Sequence, residues 1–479
     1  AFDDWCIAMM AKSLNRQEDF KTFIRRAQNY KNVYDRITKF MRAKSNETWF
    51  SPFDPAEVNF NYTEANAWQY SFYVPQDVNG LMMMMGGREE FTTRLDDLFS
   101  ADSKTTGRDQ ADITGLIGQY AHGNEPSHHM AYLYNFSGVP WKTQELVHRI
   151  CNDFYKNTPD GLIGNEDCGQ MSAWYVFSAL GFYPVNPASG IYILGSPVFP
   201  ETTLSLENGK KFIIRANNVS DVNYYIQSVS LNGKPVVRSY ITHEEIMQGG
   251  LLVFNLGPEP HKAWGTNLIS LPESCIRDYP ITPVPAFFQG DHTFMDSTVA
   301  AMVTAIPGMN IHYAFNGDVP KQKSDPYTKP FLLRKSTTIK AFAIGQESPA
   351  SQTIEAGFIR IPKNRKITLN TRYANQYSAG GDLALIDFKR GGENFRTGSW
   401  QGYEGADIEA LVDLGALQPL KKISLGCLQD QNSWIFMPEE VIIYLSDDNL
   451  SFRKVATLSN PVDAKETGSI IHDFTASFE

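Results

Sequence analysis

The sequence is poor in cysteine and lacks any paired arrangement of it. Its 479 residues include five scattered cysteines, Cys6, Cys151, Cys168, Cys275 and Cys427, with no Cys-x-x-Cys pair. An odd total without paired spacing excludes a disulfide framework and a cysteine zinc site. These five residues leave the cellular compartment open.

Long apolar runs, excess positive charge and a recognisable leader are absent as well. The longest apolar run, residues 81–87, is far too short to cross a bilayer. The formal net charge of −10 argues against a nucleic-acid partner, which would require a basic face. No signal peptide is visible, and the first residues read as the middle of a helix, so the chain is expected to enter a fold partway.

What the chain does have is length and aromatic content. At 479 residues it is too long for one ordinary core, so two to four domains are expected. A hydrophobic content of 42%, with 13% aromatic residues, is typical of a soluble globular protein. The aromatic side chains suit flat ligands such as sugars, and they suit protein cores equally well.

The first 195 residues predict helices joined by long polar loops. Apolar positions recur at helical spacing, and the segments between them are rich in Gly, Asn and Pro. The predicted helices cover residues 5–14, 18–34, 88–99, 127–136, 143–154 and 169–180. Most of the polar clusters fall in the loops.

The pattern changes after residue 200. Apolar and polar residues alternate to about 264, with Asn-Gly pairs that predict hairpin turns. A Pro-rich linker at 277–290 precedes a small β unit at about 291–362. Short, regularly spaced strands over about 366–479 predict a β-sandwich, without an obvious closing strand, so this end is also expected to be cut.

Three polar clusters in the helical part suggest chemistry, and the first surrounds one carboxyl. Glu64 stands among aromatic residues in "FNYTEANAWQYSFYVPQDV". Apolar surroundings penalise an ionised carboxyl, which is what a general acid at neutral pH requires. A helix cap or a buried ion pair would explain the residue equally simply.

The second cluster, "AHGNEPSHHMAYLY", combines oxygen ligands with histidines. Asn124 and Glu125 offer hard oxygen ligands beside a glycine, a combination that suits calcium. His122, His128 and His129 do not have the His-Glu-x-x-His spacing of a zinc site, and adjacent histidines point to different helix faces. We therefore expect the histidines to bond sugar hydroxyls or to pack in a core.

The third cluster, "DGLIGNEDCGQMSAW", brings carboxylates to the start of an apolar helix. Asp167 or Glu166 could polarise a water molecule, with Asp160 as a more distant third choice. The alternative is that these acids occupy the first helical turn, where the helix dipole favours them. The three clusters together are what glycoside hydrolysis by two carboxylates would use.

These residues resemble glycoside hydrolase family 92, the calcium-dependent exo-α-mannosidases. The stretches "NYTEANAWQYSFYVPQDVNG", "GQYAHGNEPSHHMAYLYN" and "GNEDCGQMSAWYVFSALGFYPVNPASGIYILGSP" match the family's pattern in the family's order. "FDDWCIAMMAKSL" and "RRAQNYKNVYD" match as well, so the resemblance covers about residues 1–265. It implies that the helical part is the later portion of an (α/α)6 toroid, followed by part of the family's β-sandwich domain.

The resemblance also implies an inverting mechanism. Glu64 would be the general acid and Asp167 the general base, with Glu166 as the second choice for the base. Inversion needs room for a water molecule, so the two carboxyls are expected to lie about 6.5–9.5 Å apart.

Cofactor and substrate contacts follow from the same resemblance. The family's calcium ion binds O2 and O3 of the sugar and helps to distort the ring. Asn124 and Glu125 match the region that holds it, so Ca²⁺ is the expected cofactor. Trp68, Gln69 and His122 are expected substrate contacts.

One departure from the family bears on activity. Family members begin with a β-sandwich domain and the first toroid helices, which have no counterpart in this sequence. The missing N-terminal part of the same polypeptide is therefore an expected partner, and an opened toroid is expected to expose apolar surface.

The tail resembles two accessory modules. "GMNIHYAFNGDVPKQKSDPYTKPFLLRKSTTIKAFA" is similar to a small fibronectin-like domain of some hexosaminidases, and "WIFMPEEVIIYLSDDNLSF" is similar to discoidin-like, galactose-binding-like sandwiches. Such sandwiches often bind carbohydrate, and a spacer role is the alternative. The expected domains are a partial toroid at 1–195, a β-sandwich part at 196–268, a fibronectin-like module at 269–362 and a discoidin-like sandwich at 363–479.

The expected function is exo-acting hydrolysis of terminal mannose from glycans, at an extracytoplasmic location. Two alternatives stay open at this point. The first is another inverting glycosidase, or a polysaccharide lyase, on a similar toroid; a lyase would want a His or Tyr base beside a cation. The second is a non-catalytic carbohydrate-binding protein.

Overall fold

The fold was obtained as a computed structural model that describes residues 1–345 and 349–478. It comprises a helical part followed by several β-sheets. The α-helices are α1 (Phe2–Ser13), α2 (Gln17–Arg26), α3 (Ala67–Ser71), α4 (Val78–Met85), α5 (Arg88–Ser100), α6 (Tyr134–Ser137), α7 (Pro140–Phe154), α8 (Gln170–Ala179) and α9 (His243–Met247). Within the described ranges, none of these helices is both long and apolar enough to span a membrane.

Most of the helices predicted from apolar spacing are present in the structure. The positions of α1, α5, α7 and α8 confirm four of the six predicted helices. The helix predicted for 18–34 is too long, because α2 ends at Arg26. Just beyond it the buried Gln28 donates from Nε2 to the carbonyl oxygens of Ile24 and Tyr279, both at 3.1 Å. The chain turns there to meet the linker instead of continuing as a helix.

The helix predicted for 127–136 is wrong. The segment forms two 3₁₀ turns, Glu125–Ser127 and Met130–Tyr132, followed by the single turn α6. Residues 127–136 are all buried, so their apolar spacing does not describe one face of an amphipathic helix. Residues 81–85 of the apolar run instead belong to α4, which the sequence did not predict as a helix.

Short strands fill the loops between the helices. They are β1 (Tyr34–Asp35), β2 (Phe40–Met41), β3 (Lys44–Ser45), β4 (Thr48–Trp49), β5 (Glu57–Val58), β6 (Thr106–Gly107), β7 (Leu116–Ile117) and β8 (Tyr120–Ala121). Strands β7 and β8 form an antiparallel hairpin, and the chain leaves β8 directly into the segment that carries Asn124 and Glu125.

The core of the helical part is unusually aromatic. Phe72, Phe91, Tyr132 and Trp174 are fully buried in one continuous cluster. The Trp174 Nε1 donates to the carbonyl oxygen of His128 at 2.9 Å, which satisfies its buried N–H group. Helix α8 is thereby fixed beneath the histidine-rich segment.

Two sheets follow the helical part. Their strands are β9 (Phe182–Tyr183), β10 (Ile191–Leu194), β11 (Glu201–Ser205), β12 (Lys211–Asn217), β13 (Tyr225–Leu231), β14 (Lys234–Pro235), β15 (Tyr240–Thr242) and β16 (Gly250–Gly257). The sheet orders are β15-β10-β9 and β11-β12-β16-β13-β14. The predicted Asn-Gly hairpins are confirmed: Gly209 lies between β11 and β12, and Asn232-Gly233 connects β13 to β14 with both residues at positive φ.

A further pair of sheets includes a hairpin from the helical part. The strands are β17 (Ala286–Gln289), β18 (Thr293–Phe294), β19 (Thr298–Val303), β20 (Asn310–Phe315), β21 (Phe331–Leu333), β22 (Thr337–Ile344) and β23 (Ile354–Arg360). One sheet has the order β18-β23-β22-β20 and the other β21-β19-β17-β4-β3. The Phe287 amide donates to the carbonyl oxygen of Glu47 at 2.8 Å. Asn46 also exchanges two hydrogen bonds with the backbone of Gly357, at 2.7 and 2.8 Å.

The segment leading to β17 packs against the helical part. Ser274 and Asn79 exchange two hydrogen bonds of 2.9 Å each, and the amide of Ile276 donates to the buried Asp77 carboxylate at 3.1 Å. Within the Pro-rich stretch, the Val284 amide donates to Asn32 Oδ1 at 2.9 Å, so the predicted linker is also bound to the helical part.

The last part of the chain consists of antiparallel strand pairs. The strands are β24 (Lys366–Leu369), β25 (Ala410–Asp413), β26 (Lys422–Asp430), β27 (Glu440–Leu445), β28 (Arg453–Ser459) and β29 (Ser469–Ser477). They pair as β24-β25, β26-β29 and β27-β28. The short strands predicted over 366–479 are present.

Exposed apolar side chains occur on the helical part. Ile7, Met10 and Leu14 lie in or next to α1, and Met83 lies on α4 with 79% of its surface exposed. Large apolar side chains on a helix face normally indicate a contact surface when they adjoin one another.

Candidate functional site

Two of the predicted catalytic carboxylates lie on loops with an unusual backbone. Glu64 has φ 56°, and Asp167 has φ 51° followed by Cys168 at φ 58°. Non-glycine residues in this left-handed region cost free energy and persist where surrounding contacts hold them. The backbone at both residues is therefore held by neighbouring contacts more than by local preference.

Asn124 holds the Glu64 turn. Its buried side chain donates from Nδ2 to the backbone carbonyl oxygen of Glu64 at 3.0 Å. Two residues later Asn66 begins α3 in a capping box with Gln69, in which each side chain accepts from the other residue's amide at 3.3 Å. The turn that carries Glu64 is thus anchored on both sides.

The pKa of Glu125 depends on its burial and on two neighbouring carboxyl groups. Burial raises the pKa of Glu125 above its usual range, and the nearby carboxyl groups of Asp167 and Glu64 raise it further. The loops themselves are in contact, since Asn124 bonds the Glu64 carbonyl oxygen and Gly164, three residues before Asp167, packs against Gly123.

The apolar enclosure predicted for Glu64 is not present. The Glu64 side chain is exposed, and so is that of Asp167. The aromatic neighbours turn away: Tyr62 donates to the Met41 carbonyl oxygen at 2.7 Å, and Trp68 packs edge-on against Phe40 with 4.7 Å between the ring centroids. Sequence neighbours of Glu64 thus serve the core and do not cover the carboxyl.

Glu166 and Asp160 occupy different surroundings from Asp167. The Glu166 carboxylate accepts hydrogen bonds from the Ser172 amide at 3.1 Å and from the Ser172 hydroxyl at 3.0 Å. It caps the first turn of α8 from outside the helix. The alternative that placed these acids in that turn is wrong, because the first turn of α8, which begins at Gln170, contains no acidic residue. Asp160 is exposed at the far end of the same loop.

The three expected substrate contacts all have partners within the protein. Gln69 donates to the Gln119 carbonyl oxygen at 3.2 Å, and Trp68 is covered by the Arg94 guanidinium 4.8 Å from its ring centroid. His122 is fully buried, and burial holds its pKa well below the usual range. A direct sugar contact from these side chains stays a prediction, and their protein contacts fit a supporting position.

Buried hydrogen bonds link His122 to α8. Its Nδ1 lies 2.8 Å from the Tyr120 hydroxyl, and its Nε2 lies 2.7 Å from the Tyr155 hydroxyl. Tyr155 in turn donates to the Met171 carbonyl oxygen at 3.0 Å, so a neutral His122 that donates from Nε2 satisfies every partner. Sequence reasoning missed Tyr155, since no motif marks it and 33 residues separate it from His122.

The oxygen atoms of Asn124 and Glu125 are the candidate calcium ligands. Among the described residues, no group of three or more His, Cys, Asp or Glu side chains is arranged to hold a metal ion. Asn124 has its Nδ2 committed to Glu64, which leaves Oδ1 as its available donor atom, and Glu125 adds a carboxylate. These hard oxygens fit calcium as a partial set, since the ion takes six to eight oxygen ligands, including waters. His128 and His129 place Nε2 on backbone carbonyl oxygens, at 2.9 and 2.8 Å.

Comparison with known families decides the relationship. The sequence profile described as "Glycosyl hydrolase family 92 catalytic domain" matches residues 1–258. The chain belongs to glycosyl hydrolase family 92. A second profile, "Fn3 associated", matches residues 301–357. This match confirms the fibronectin-related module that was predicted from the sequence of the tail.

Solved structures support the same relationship. A family GH92 α-mannosidase of Bacteroides thetaiotaomicron is 41% identical, with a TM-score of 0.53 over 58% of this chain and 37% of its own. In complex with mannoimidazole it gives 40% identity and a TM-score of 0.55, over 58% of this chain and 38% of its own. A family GH92 inverting mannosidase of the same organism is 38% identical, with a TM-score of 0.52 over 57% of this chain and 38% of its own.

A curated relative shows how much of a complete protein is covered. The "Uncharacterized secreted glycosidase" of Arthroderma benhamiae is 28% identical over 301 residues, which is 57% of this chain and 36% of the relative. The family 92 chain thus spans little more than a third of the length of these relatives.

Proposed function

We propose that the polypeptide containing this chain is an exo-acting α-mannosidase that hydrolyses terminal mannosidic bonds of glycans with inversion. The observation that carries the proposal is the contact between the three loops that bear Glu64, Glu125 and Asp167. Asn124 Nδ2 donates to the Glu64 carbonyl oxygen at 3.0 Å, and a Cβ atom at Gly164 would lie only 3.2 Å from the Gly123 Cα. Support also comes from membership of family 92 and from the similarity to structures described as α-mannosidases.

In the proposed mechanism Glu64 and Asp167 each carry out one proton transfer. Glu64 protonates the oxygen of the departing group, and Asp167 removes a proton from the water molecule that attacks the opposite face of the sugar. A separation of about 6.5–9.5 Å would leave room for this water. Glu166 is the weaker candidate for the base, because its carboxylate is bound to Ser172.

Asn124 Oδ1 and the Glu125 carboxylate would hold the calcium ion. When bound, calcium supplies an electrophile for the neighbouring sugar hydroxyls and favours distortion of the ring. Asn124 would then have two tasks, since its Nδ2 also fixes the Glu64 turn. Trp68, Gln69 and His122 would keep the loops in place beneath the sugar.

The remaining architecture is proposed on the same basis. Residues 1–195 would form the later portion of an (α/α)6 toroid and 196–268 the returning part of a β-sandwich. Residues 269–362 would form the fibronectin-like module, and 363–479 a discoidin-like sandwich. The exposed side chains on α1 suit contact with preceding toroid helices of the same polypeptide. The relative described as secreted supports an extracytoplasmic location.

Mannose release from an α-mannobiose tests the proposal. This chain and a version extended at its N-terminus are each assayed with and without a calcium chelator. We expect chelator-sensitive release by the extended protein, and loss of most turnover in its Glu64→Gln variant on substrates with poor leaving groups. Glu201→Gln, which changes an exposed carboxylate bonded to Arg215 in a separate sheet, is the matched control and should keep the activity. Unchanged turnover in Glu64→Gln would show that another residue is the acid, and release of mannose from a neutral mannoside excludes the lyase alternative.

A second candidate function, glycan binding without catalysis, is favoured by one observation in the tail. Trp434 lies at the tip of a turn with 85% of its surface exposed, and Phe436 stands edge-on to it with 6.2 Å between ring centroids. Exposed aromatic rings offer flat apolar faces to sugars. Binding of a mannan that survives Glu64→Gln and Asp167→Asn but is lost in Trp434→Ala, without any turnover, would favour this function.

A further inference from the structure

Three loops of the site touch through two glycines. A Cβ atom at Gly123 would lie 1.9 Å from the Thr114 hydroxyl, so no larger residue fits there. A Cβ at Gly164 would lie 2.8 Å from the same hydroxyl and 3.2 Å from the Gly123 Cα. The segment before Asn124 and the segment before Asp167 are therefore packed backbone against backbone.

A carboxylate outside the proposed catalytic set joins the same loops. Asp112 accepts a hydrogen bond at Oδ1 from Asn165 Nδ2 at 2.9 Å and another at Oδ2 from Gln110 Nε2 at 2.6 Å. Asn165 stands two residues before Asp167. The half-buried Asp112 and the exposed Asn165 come from segments 53 residues apart in the sequence.

Asp112 is also tied to the segment that carries Asn124. The Thr114 amide donates to the Asp112 carbonyl oxygen at 3.0 Å, and the Gly123 amide donates to the Thr114 carbonyl oxygen at 3.0 Å. A continuous series of hydrogen bonds thus runs from Gly123 through Asp112 to Asn165.

We infer that Asp112 is a positioning residue for the general base, and the inference rests on the proposed function. Asp167 has a left-handed backbone and an exposed side chain, so its place depends on what holds the loop on each side. Glu166 fastens the following side to Ser172, and the Asp112–Asn165 pair fastens the preceding side. Asp112 acts through Asn165 on the distance between the base and the calcium-binding loop.

Exchanging the two side chains gives a sharp test. Asn165→Asp sets two carboxylates against each other and removes the donor. The double variant Asp112→Asn/Asn165→Asp restores one amide and one carboxylate with the donor reversed. The matched control is Asn370→Asp, because Asn370 donates to the Glu409 carboxylate at 3.0 Å in a distant strand pair.

Two readouts are taken together. Hydrogen exchange at residues 160–169 is measured in this chain, and kcat and KM for α-mannobiose are measured in the polypeptide that turns it over. We expect Asn165→Asp to speed exchange in the loop and to lower kcat on the order of 10- to 100-fold, because small misplacements of a catalytic group are costly. KM should change by no more than about twofold, since ground-state binding is retained. The double variant should recover most of kcat and of the protection.

The outcomes separate this inference from the proposed function. Faster loop exchange with unchanged kcat in Asn165→Asp overturns the positioning role, and so does a double variant that regains protection but not kcat. A wild-type polypeptide without any turnover overturns the proposed function itself, and the positioning role falls with it. Loss of kcat in Asn370→Asp as well would show that the effect is general to the fold and would also overturn the inference.

Discussion

Asn124 Nδ2 donates a hydrogen bond to the backbone carbonyl oxygen of Glu64 at 3.0 Å. This side chain fixes the turn that carries the proposed acid. Under the proposed function its Oδ1 would also be a metal ligand. The two tasks can be separated by substitution, because an aspartate keeps oxygen ligands but cannot donate the hydrogen bond.

Asn124→Asp is expected to lower kcat about tenfold on substrates with poor leaving groups, since the Glu64 turn loses its anchor. Calcium affinity should be kept or increased, because a carboxylate replaces a neutral ligand. Turnover of substrates with different leaving groups and calorimetric titration of calcium measure the two effects. Asn217→Asp, which changes an exposed amide bonded to Asn255, is the control. Equal loss of calcium binding and kcat would contradict the separation of tasks.

The buried His129 predicts loss of stability in mild acid. Burial lowers its pKa to about 4 from 6.5, and its neutral ring bonds the Phe72 carbonyl oxygen. The unfolded chain takes up a proton below about pH 6.5 and the folded chain only near pH 4. Stability is therefore complete above pH 6.5 and falls as the pH drops towards 4, by up to about 1.4 kcal/mol per pH unit.

Urea unfolding of the whole chain between pH 7 and 4, followed by tryptophan fluorescence, measures this loss. His129→Gln keeps a donor for the Phe72 carbonyl and should flatten the pH dependence by about one proton. His261→Gln changes an exposed histidine and should leave the slope unchanged. An identical slope in wild type and His129→Gln would contradict the prediction.

Asp77 is expected to be one of the most sensitive positions of the helical part. Its buried carboxylate accepts hydrogen bonds from the Tyr30 hydroxyl at 2.8 Å, the Gly80 amide at 3.2 Å and the Ile276 amide at 3.1 Å. Asp77→Ala would leave these donors unpaired and the nearby Lys31 uncompensated, at a cost of about 3 kcal/mol.

The control for Asp77 is Asp278→Ala, which removes an exposed carboxylate 3.6 Å from Lys12. Its effect on the free energy of unfolding should stay below about 1 kcal/mol. Chemical denaturation of both variants gives the comparison, and limited proteolysis near Arg277 reports whether the linker detaches. Similar values for the two variants would refute the role assigned to Asp77.

The contact between Asn46 and Gly357 is expected to hold the small β unit to the helical part. Asn46→Ala removes two hydrogen bonds, each contributing about 1 kcal/mol, and should speed amide exchange of Phe287, which bonds Glu47. Asn316→Ala is a close control, because Asn316 also has a left-handed backbone and its side chain accepts from the Thr338 amide within the β unit. Faster exchange of Phe287 in the control alone would contradict the prediction.

Local patterns predicted the parts of this chain that local physics decides. Asn232-Gly233 produced its hairpin because both residues accept positive φ. Helix α7 was predicted because its apolar residues form one stripe and its opposite face is exposed to solvent. The helix predicted for 127–136 is absent because the segment is buried on all sides, which removes the contrast between an apolar and an exposed face. Its histidines bond backbone carbonyl oxygens instead.

The sequence named candidate residues for the site but did not predict what surrounds them. The sequence places Glu64 among aromatic residues, yet their direction depends on partners such as Met41 and Phe40. The contact between Asp112 and Asn165 gives no sequence signal, because 53 residues separate the two and Asp112 lies outside the matched stretches. Long-range side-chain contacts of this kind require the folded chain.

The shared sheet of β4 and β17 sets an order of events during protein synthesis. Asn46 leaves the ribosome 311 residues before its partner Gly357. At roughly 5–20 residues per second, the hairpin would wait about 15–60 seconds for that partner. Throughout this interval the β4 edge is open to pairing with other nascent chains. The helical part of this chain would therefore be complete only after the β unit has been made, which gives that unit a part in assembly as well as in the finished fold.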